Sequence, residues 1–239
     1  MQTHTSFLDD IIDESVEMQT MHPALFDDYM AEGWRLLGYA IIRHNFAACR
    51  SKICYTVPLR IRLQDLSFTK SQKQVLRRNA DLKHLVRPIV LTPEKEVLFL
   101  RHTARFRERR PETLAAFLGP NASRHPVKGF ELSVYDEGDR LLACSYFHLG
   151  EKAMSGTYCF FDPDAGKRSL GTYTMLQELL LARGMGLDYY YLGYCYDVPS
   201  QFDYKLNFNN LEVMDWKTNL WESRERVPVR QWDKLVIEP

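Results

Sequence analysis

The chain has 239 residues, 45% of them hydrophobic, enough to bury one large core or two smaller ones. No apolar run approaches the roughly 20 residues that a membrane-spanning helix needs, and the polar, acidic opening does not read as a secretory signal, so a cytoplasmic protein is expected. The zero net charge hides a sorting of −8 over residues 1–32, +13 over 33–110 and −5 over 111–239, the footprint of either a phosphate-bearing partner or an acidic N-terminus packed on a basic segment.

Residues 1–22 are polar and acidic and are expected to be loosely held. Pro23 to Glu32 reads as a short helix with proline at its start, and Gly33 stops it. Trp34–Arg43 is strand-like. Cys54–Leu63 alternates around Pro58, so Arg60 and Arg62 share one face, either a solvated edge or a phosphate contact. Ser71 is expected to begin a helix whose apolar side carries Val75, Leu76, Leu82 and Leu85, with Lys73, Arg77 and Arg78 on the other side. A Pro-bounded connection over residues 88–98 suggests a lobe boundary, which divides the chain into an acidic N-terminus (1–22), a small α+β lobe (23–90) and a larger lobe (91–239). A charged helix is expected over Arg101–Arg110. The five cysteines form no even framework, and reduced thiols are expected.

From Phe130 the pattern becomes β. Glu131–Tyr135 and Arg140–Leu149 flank the turn Asp136-Glu137-Gly138-Asp139, and Gly156–Asp162 follows. Asp162-Pro163-Asp164 ends that strand. Ser169 has the chemistry of an N-cap, and Leu170, Tyr173, Leu176, Leu179 and Leu180 repeat at helical spacing after it until Gly184 and Gly186. Tyr189–Tyr194 is again a strand, followed by a short helical piece near Ser200–Lys205 and two or three closing strands to Ile237. Lys167 and Arg168 precede the start of the central helix, where unpaired N–H groups and the macrodipole favour an anion.

Three antiparallel strands, a helix with an anion-ready start and a further strand make a mixed α/β arrangement with a mostly antiparallel sheet. That order resembles the acyltransferase lobe of the GNAT kind, in which two neighbouring strands splay apart around an acyl donor. The stretch Arg168-Ser169-Leu170-Gly171-Thr172-Tyr173 departs from the coenzyme A signature of those enzymes, because Tyr173 stands where a small residue normally lies against the pyrophosphate. Phe160-Phe161-Asp162-Pro163-Asp164, Ser169-Leu170-Gly171-Thr172-Tyr173, Tyr189 to Tyr194 and Tyr204-Lys205 are similar to the C-terminal blocks of the arginyl- and leucyl-tRNA–protein transferases. Gly33-Trp34-Arg35, Pro58-Leu59-Arg60-Ile61 and the run from Phe68 to Leu82 resemble the N-terminal half of that family.

The resemblance implies transfer of arginine or leucine from charged tRNA to a protein N-terminus beginning with Asp or Glu, as a degradation tag. It implies charged tRNA and an acceptor N-terminus as partners, with no membrane and no cofactor beyond the charged tRNA. The family's cysteine cluster is displaced here: its register falls on Arg50, Ile53 and Thr56, while Cys49 and Cys54 lie off it, so no metal site is expected. Val198-Pro199-Ser200-Gln201-Phe202-Asp203 also departs from the family pattern, at a place tied to acceptor recognition. Two rival readings rest on the same lobe: a coenzyme A-dependent N-acetyltransferase, and a homologue that binds without catalysis.

An aminoacyl ester is already activated, so such an enzyme mainly positions an unprotonated amine against the carbonyl. Asp162 is expected to accept a proton or orient the amine, unless it only forms the turn. Tyr194 would present a hydroxyl to the carbonyl, and Lys205 would pair with a substrate carboxylate or a tRNA phosphate. Lys167, Arg168, Ser169, Gly171 and Thr172 are expected to hold the terminal phosphates of the tRNA. Gln72, Arg77, Arg78 and Asn79 are carried over from the family motif as donor-binding residues.

Overall fold

A computed structural model describes residues 11–49, 52–106, 112–119 and 121–225. The first elements are strand β1 (Asp13–Glu17), helix α1 (Pro23–Ala31) and strands β2 (Arg35–Leu37) and β3 (Ala40–His44). The strands form a small antiparallel sheet in the order β1-β3-β2. Gly38, with φ of +62°, turns the chain between β2 and β3, so the run expected as one strand over 34–43 is a hairpin. Glu14 of β1 lies 3.7 Å from Arg43 of β3, where the acidic segment meets the basic one.

The main sheet is built from β4 (Phe46–Cys49), β5 (Lys52–Arg62), β6 (Lys83–Pro88), β7 (Gly129–Tyr135), β8 (Leu141–Leu149), β9 (Ala153–Phe161), β10 (Tyr189–Tyr196), β11 (Leu211–Met214) and β12 (Trp221–Ser223). Its order is β12-β11-β5-β10-β9-β8-β7-β6, with β4 also paired to β5. Every neighbouring pair is antiparallel except β9 and β10. The remaining helices are α2 (Lys70–Arg78), α3 (Pro93–Thr103), α4 (Leu114–Leu118) and α5 (Leu170–Gly184), which crosses over from β9 to β10. This is the mixed α/β architecture expected, and strands from both sides of residue 90 share its sheet.

The sheet is covered on both faces at its centre. Leu170, Leu176 and Leu179 of α5 pack with Leu59, Ile61, Leu142 and Met154 on one face. Leu98 and Phe99 of α3 pack with Cys144, Tyr146 and Phe160 on the other. This two-sided cover explains why β8 is apolar almost throughout rather than alternating. Lys95 of α3 reaches Glu131 of β7 at 2.6 Å, and Arg87 of β6 reaches the same carboxylate at 2.7 Å, so that buried charge is paired from two elements.

Several local expectations are corrected. Helix α2 begins at Lys70 behind a capping box of Thr69 and Gln72, and it ends at Arg78. Leu82 and Leu85 therefore do not continue it, and Leu85 lies exposed on edge strand β6. Pro93 opens α3 behind an N-cap at Thr92, so a helix occupies half of the stretch expected as a connection. The expected helix over 101–110 is the end of α3 in its described part, and residues 107–110 lie outside the described ones. Leu180 is on the exposed side of α5. Cys54 is disulfide-bonded, against the expectation of reduced thiols throughout, whereas Cys144, Cys159 and Cys195 are free. The closing strands expected beyond residue 225 lie outside the described residues. No helix among the described residues is long and apolar enough to cross a membrane.

Candidate active site

Strands β9 and β10 pair for only three residues, Ala153–Ser155 against Tyr189–Tyr191, and then part. Each carries an irregularity where they separate. The register of β9 on β8 shifts across Thr157, and that of β10 on β5 shifts across Leu192. An extra residue in a strand leaves backbone groups unpaired and bends it, so these two bulges open the gap. Gly193, at φ of +73°, supplies the turn of the second one.

A cavity of about 570 Å³ fills the gap between the parted strands and runs to the start of α5. Its apolar walls include Phe161, Met175, Leu192 and Phe202. Its polar groups include Arg105, Ser145, Thr157, Glu178, Tyr190 and Lys205. Glu178 is the one carboxylate among the described lining residues.

Lys205 is 9% exposed and reaches the cavity from the 3-10 segment Asp203–Asn207. Its Nζ donates to the carbonyls of Leu192 at 2.6 Å and Tyr194 at 3.1 Å. The bulge in β10 thus frees carbonyls that the lysine satisfies. Burial, with Arg35 adding repulsion, pushes the Lys205 ammonium down to about 7. Glu178 enters from α5 and accepts hydrogen bonds from Ser145 Oγ of β8 and Tyr190 Oη of β10. Burial raises its carboxyl to about 7, opposed by those two hydroxyls.

At the start of α5, Ser169, Gly171 and Thr172 line the cavity. Ser169 does not act as the N-cap expected of it. Its backbone is left-handed (φ 55°, ψ 46°) where the 3-10 segment Pro163–Arg168 turns into α5, and its side chain makes no capping bond. Tyr173 is buried in the core at 2% exposure, so its ring does not crowd the helix start.

The remaining expected residues support this corner from outside the cavity. Asn79 donates from its side-chain amide to the carbonyl of Arg168 at 2.8 Å, and Arg78 Nη1 donates to the carbonyl of Lys167 at 2.7 Å. Arg168 itself forks onto Asp81 at 2.9 and 2.8 Å, which engages both of its terminal nitrogens. Lys167 and Arg77 are exposed. Gln72 is buried and spent on the cap of α2 and on the carbonyl of Asn207, 3.2 Å away.

Asp162 and Tyr194 are not among the residues lining the cavity. Asp162, 1% exposed, accepts from Arg101 Nη2 at 2.9 Å and caps the 3-10 segment through Asp164 N at 3.0 Å. Tyr194 Oη donates to the carbonyl of Gly33 at 2.6 Å, which ties the small sheet to the large one. Arg60 pairs with Glu212 at 2.7 Å and stacks between the rings of Tyr189 and Trp221, whereas Arg62 is exposed and lies 3.9 Å from the same carboxylate.

Sequence reasoning missed Glu178, Ser145 and Arg105. A signal for the first was present: Gly171, Thr174, Met175 and Glu178 recur at intervals of three and four along α5 and all line the cavity.

A model of the family described as arginine-tRNA-protein transferase, C terminus, matches residues 94–215. The aspartate/glutamate leucyltransferase of Campylobacter jejuni is 27% identical over 203 residues, which cover 82% of each chain. That of Leptospira interrogans is 26% identical over 196 residues, covering 80% of this chain and 74% of the relative. That of Shewanella sp. is 28% identical over 206 residues, covering 83% and 82%.

Proposed function

The chain belongs to the arginine-tRNA-protein transferase family, and from that premise we propose that it moves leucine from charged tRNA to the N-terminal amine of proteins that begin with Asp or Glu. Transfer from tRNA to a protein N-terminus follows from the family and from relatives that are named aspartate/glutamate leucyltransferases. The choice of leucine rests on the cavity. An arginyl side chain calls for acidic walls, and the described lining offers a single carboxylate, Glu178, beside walls of Phe161, Met175, Leu192 and Phe202. A leucyl side chain needs only such walls.

In this reading the aminoacyl ester lies in the gap between β9 and β10, with the tRNA terminus at Ser169, Gly171 and Thr172. In its ammonium form Lys205 carries one donor beyond the two carbonyls it serves, and that donor faces the ester carbonyl or the acceptor's carboxylate. Asp162 acts at one remove, by fixing the turn that leads into α5. Arg77 and Arg78 add phosphate contacts from α2, which flanks the start of α5, and the protein works in the cytoplasm. The degradation tag is the added residue itself.

A filter assay tests this directly. Labelled leucyl-tRNA and arginyl-tRNA are each offered with a peptide beginning with Asp, and label from leucyl-tRNA is expected in the peptide. Label entering only from arginyl-tRNA would remove the choice of donor, and label entering only from acetyl coenzyme A would remove the function.

A further inference from the structure

The geometry points to Glu178 as the group that takes the proton from the attacking amine. This rests on the proposed transfer reaction and assigns a role that none of the expected site residues fills. Glu178 sits where β9 and β10 separate, 3% exposed yet lining the cavity. Gly156 of β9 makes room for the hydroxyl that binds it: a Cβ there would collide with Tyr190 Oη and come within 3.5 Å of Glu178 Oε2. A group held in the gap between the strands meets the carboxylate and its Tyr190 partner at the cavity wall.

The surroundings of Glu178 suit a proton that comes and goes. Ser145 faces it from β8, Cys159 from β9, Tyr190 from β10 and Tyr204 from the stretch after β10. Burial pushes the Cys159 thiol up to about 12 and raises Tyr190 and Tyr204 as well, so all four are neutral at physiological pH. Lys205 and Arg105 line the same cavity, but no cation among the described residues is paired with the carboxylate, and the two hydroxyls that donate to it hold it in place in either protonation state. Its proton affinity falls near neutrality, where a general base exchanges protons most readily.

The chemistry balances. The acceptor enters as a free amine, and its nitrogen attacks the ester carbonyl carbon of the aminoacyl group. The nitrogen–carbon bond forms and the bond from that carbon to the terminal ribose oxygen of the tRNA breaks. The proton lost by nitrogen passes to Glu178 and leaves on the ribose oxygen as a hydroxyl.

The test is the pH dependence of single-turnover transfer from leucyl-tRNA, at saturating tRNA, for the full chain and for Glu178→Gln. Glu178→Gln is expected to lower the rate about 100-fold or more and to abolish the inflection near neutrality, with binding of leucyl-tRNA unchanged. Tyr190→Phe keeps the carboxylate but removes one donor to its charged form, so its inflection is expected to move to higher pH. If Glu178→Gln does not fold, that shift decides, and an unshifted Tyr190→Phe overturns the role. Transfer by Glu178→Gln within about 3-fold of the parent, or a loss of tRNA affinity in place of rate, overturns it too. A parent chain inactive with every charged tRNA would overturn the transfer reaction, whereas an active parent with an equally active Glu178→Gln overturns only the base.

Discussion

The side-chain amide of Asn79 donates to the carbonyl of Arg168 at 2.8 Å and to that of Val75 at 2.9 Å, tying the end of α2 to the turn that starts α5. Asn79 is fully buried at 0% exposure, so truncation to Ala strands both carbonyls at a cost of about 1–3 kcal/mol. Asn79→Asp is expected to cost more, because it sets a carboxylate against two carbonyl oxygens. Denaturant midpoints check the order, and an Asn79→Asp chain as stable as the parent would count against it. The Michaelis constant for charged tRNA is expected to rise in both.

Arg77 and Arg78 are neighbours on α2 with different work. Both are exposed, but Arg78 also holds the carbonyl of Lys167. Arg77→Glu is expected to weaken tRNA binding with thermal stability unchanged, and the defect should deepen with salt. Arg78→Glu should weaken tRNA binding and lower thermal stability as well. Normal tRNA binding by the double variant would show that the basic face of α2 serves another purpose.

Lys205→Met removes the donor that satisfies Leu192 and Tyr194 while keeping most of the stem's bulk. Two carbonyls left bare are expected to cost about 1–3 kcal/mol and to lower transfer at least about 10-fold at saturating tRNA. Thermal unfolding and single-turnover rates check the two effects separately. A Met variant that transfers at the parent rate would reduce the lysine to a structural strut.

Asp162→Asn keeps an acceptor for Asp164 N and loses the charge facing Arg101. Transfer is expected to slow, with tRNA binding nearly intact, since the change acts on the turn entering α5. If the tRNA binding isotherm shifts as far as the rate, Asp162 serves binding rather than the transfer step.

The pH dependence of stability carries the signature of Glu178. Its carboxyl is raised by burial from 4.5 to about 7, so the native state binds the proton more tightly than the unfolded chain does. Its stabilising contribution is complete below the unfolded value and is lost as pH rises through the folded one. That loss is on the order of 3 kcal/mol between pH 4.5 and 7. Glu178→Gln is expected to lose that slope, which denaturant unfolding across the same range would reveal. Parallel curves for the two chains would contradict it.

The strand and helix pattern from β7 to β10 was legible because Asp136-Glu137-Gly138-Asp139 and Asp162-Pro163-Asp164 punctuate apolar runs of the right length. The start of α5 was legible too, and Ser169, Gly171 and Thr172 there line the cavity. The gap was legible only through the resemblance to the GNAT lobe and not in the residues themselves, because a bulge at Leu192 depends on pairing with β5, a strand far away in sequence. Asp162 and Tyr194 stand in motifs that look chemical, yet their polar atoms are spent on Arg101 and on the carbonyl of Gly33. Glu178 was hidden among leucines, and only the positions of Gly171, Thr174 and Met175 on the same face mark it out.

The pairing of β5 with β10 also governs how the chain is made. Arg60 and Tyr191, which are cross-strand partners, stand 131 residues apart. As the protein leaves the ribosome, β5 therefore waits for most of the chain to be synthesised before its neighbour in the sheet exists. Until then its one strand neighbour among the described residues is β4, which pairs with Lys52–Tyr55 and leaves Leu59 and Ile61 without a partner in the sheet. Pairing of such long range is slow to form and leaves apolar strand edges open meanwhile. Nascent chains stopped short of Tyr189 should accordingly be clients of chaperones, and folding should complete in one late step once β10 emerges.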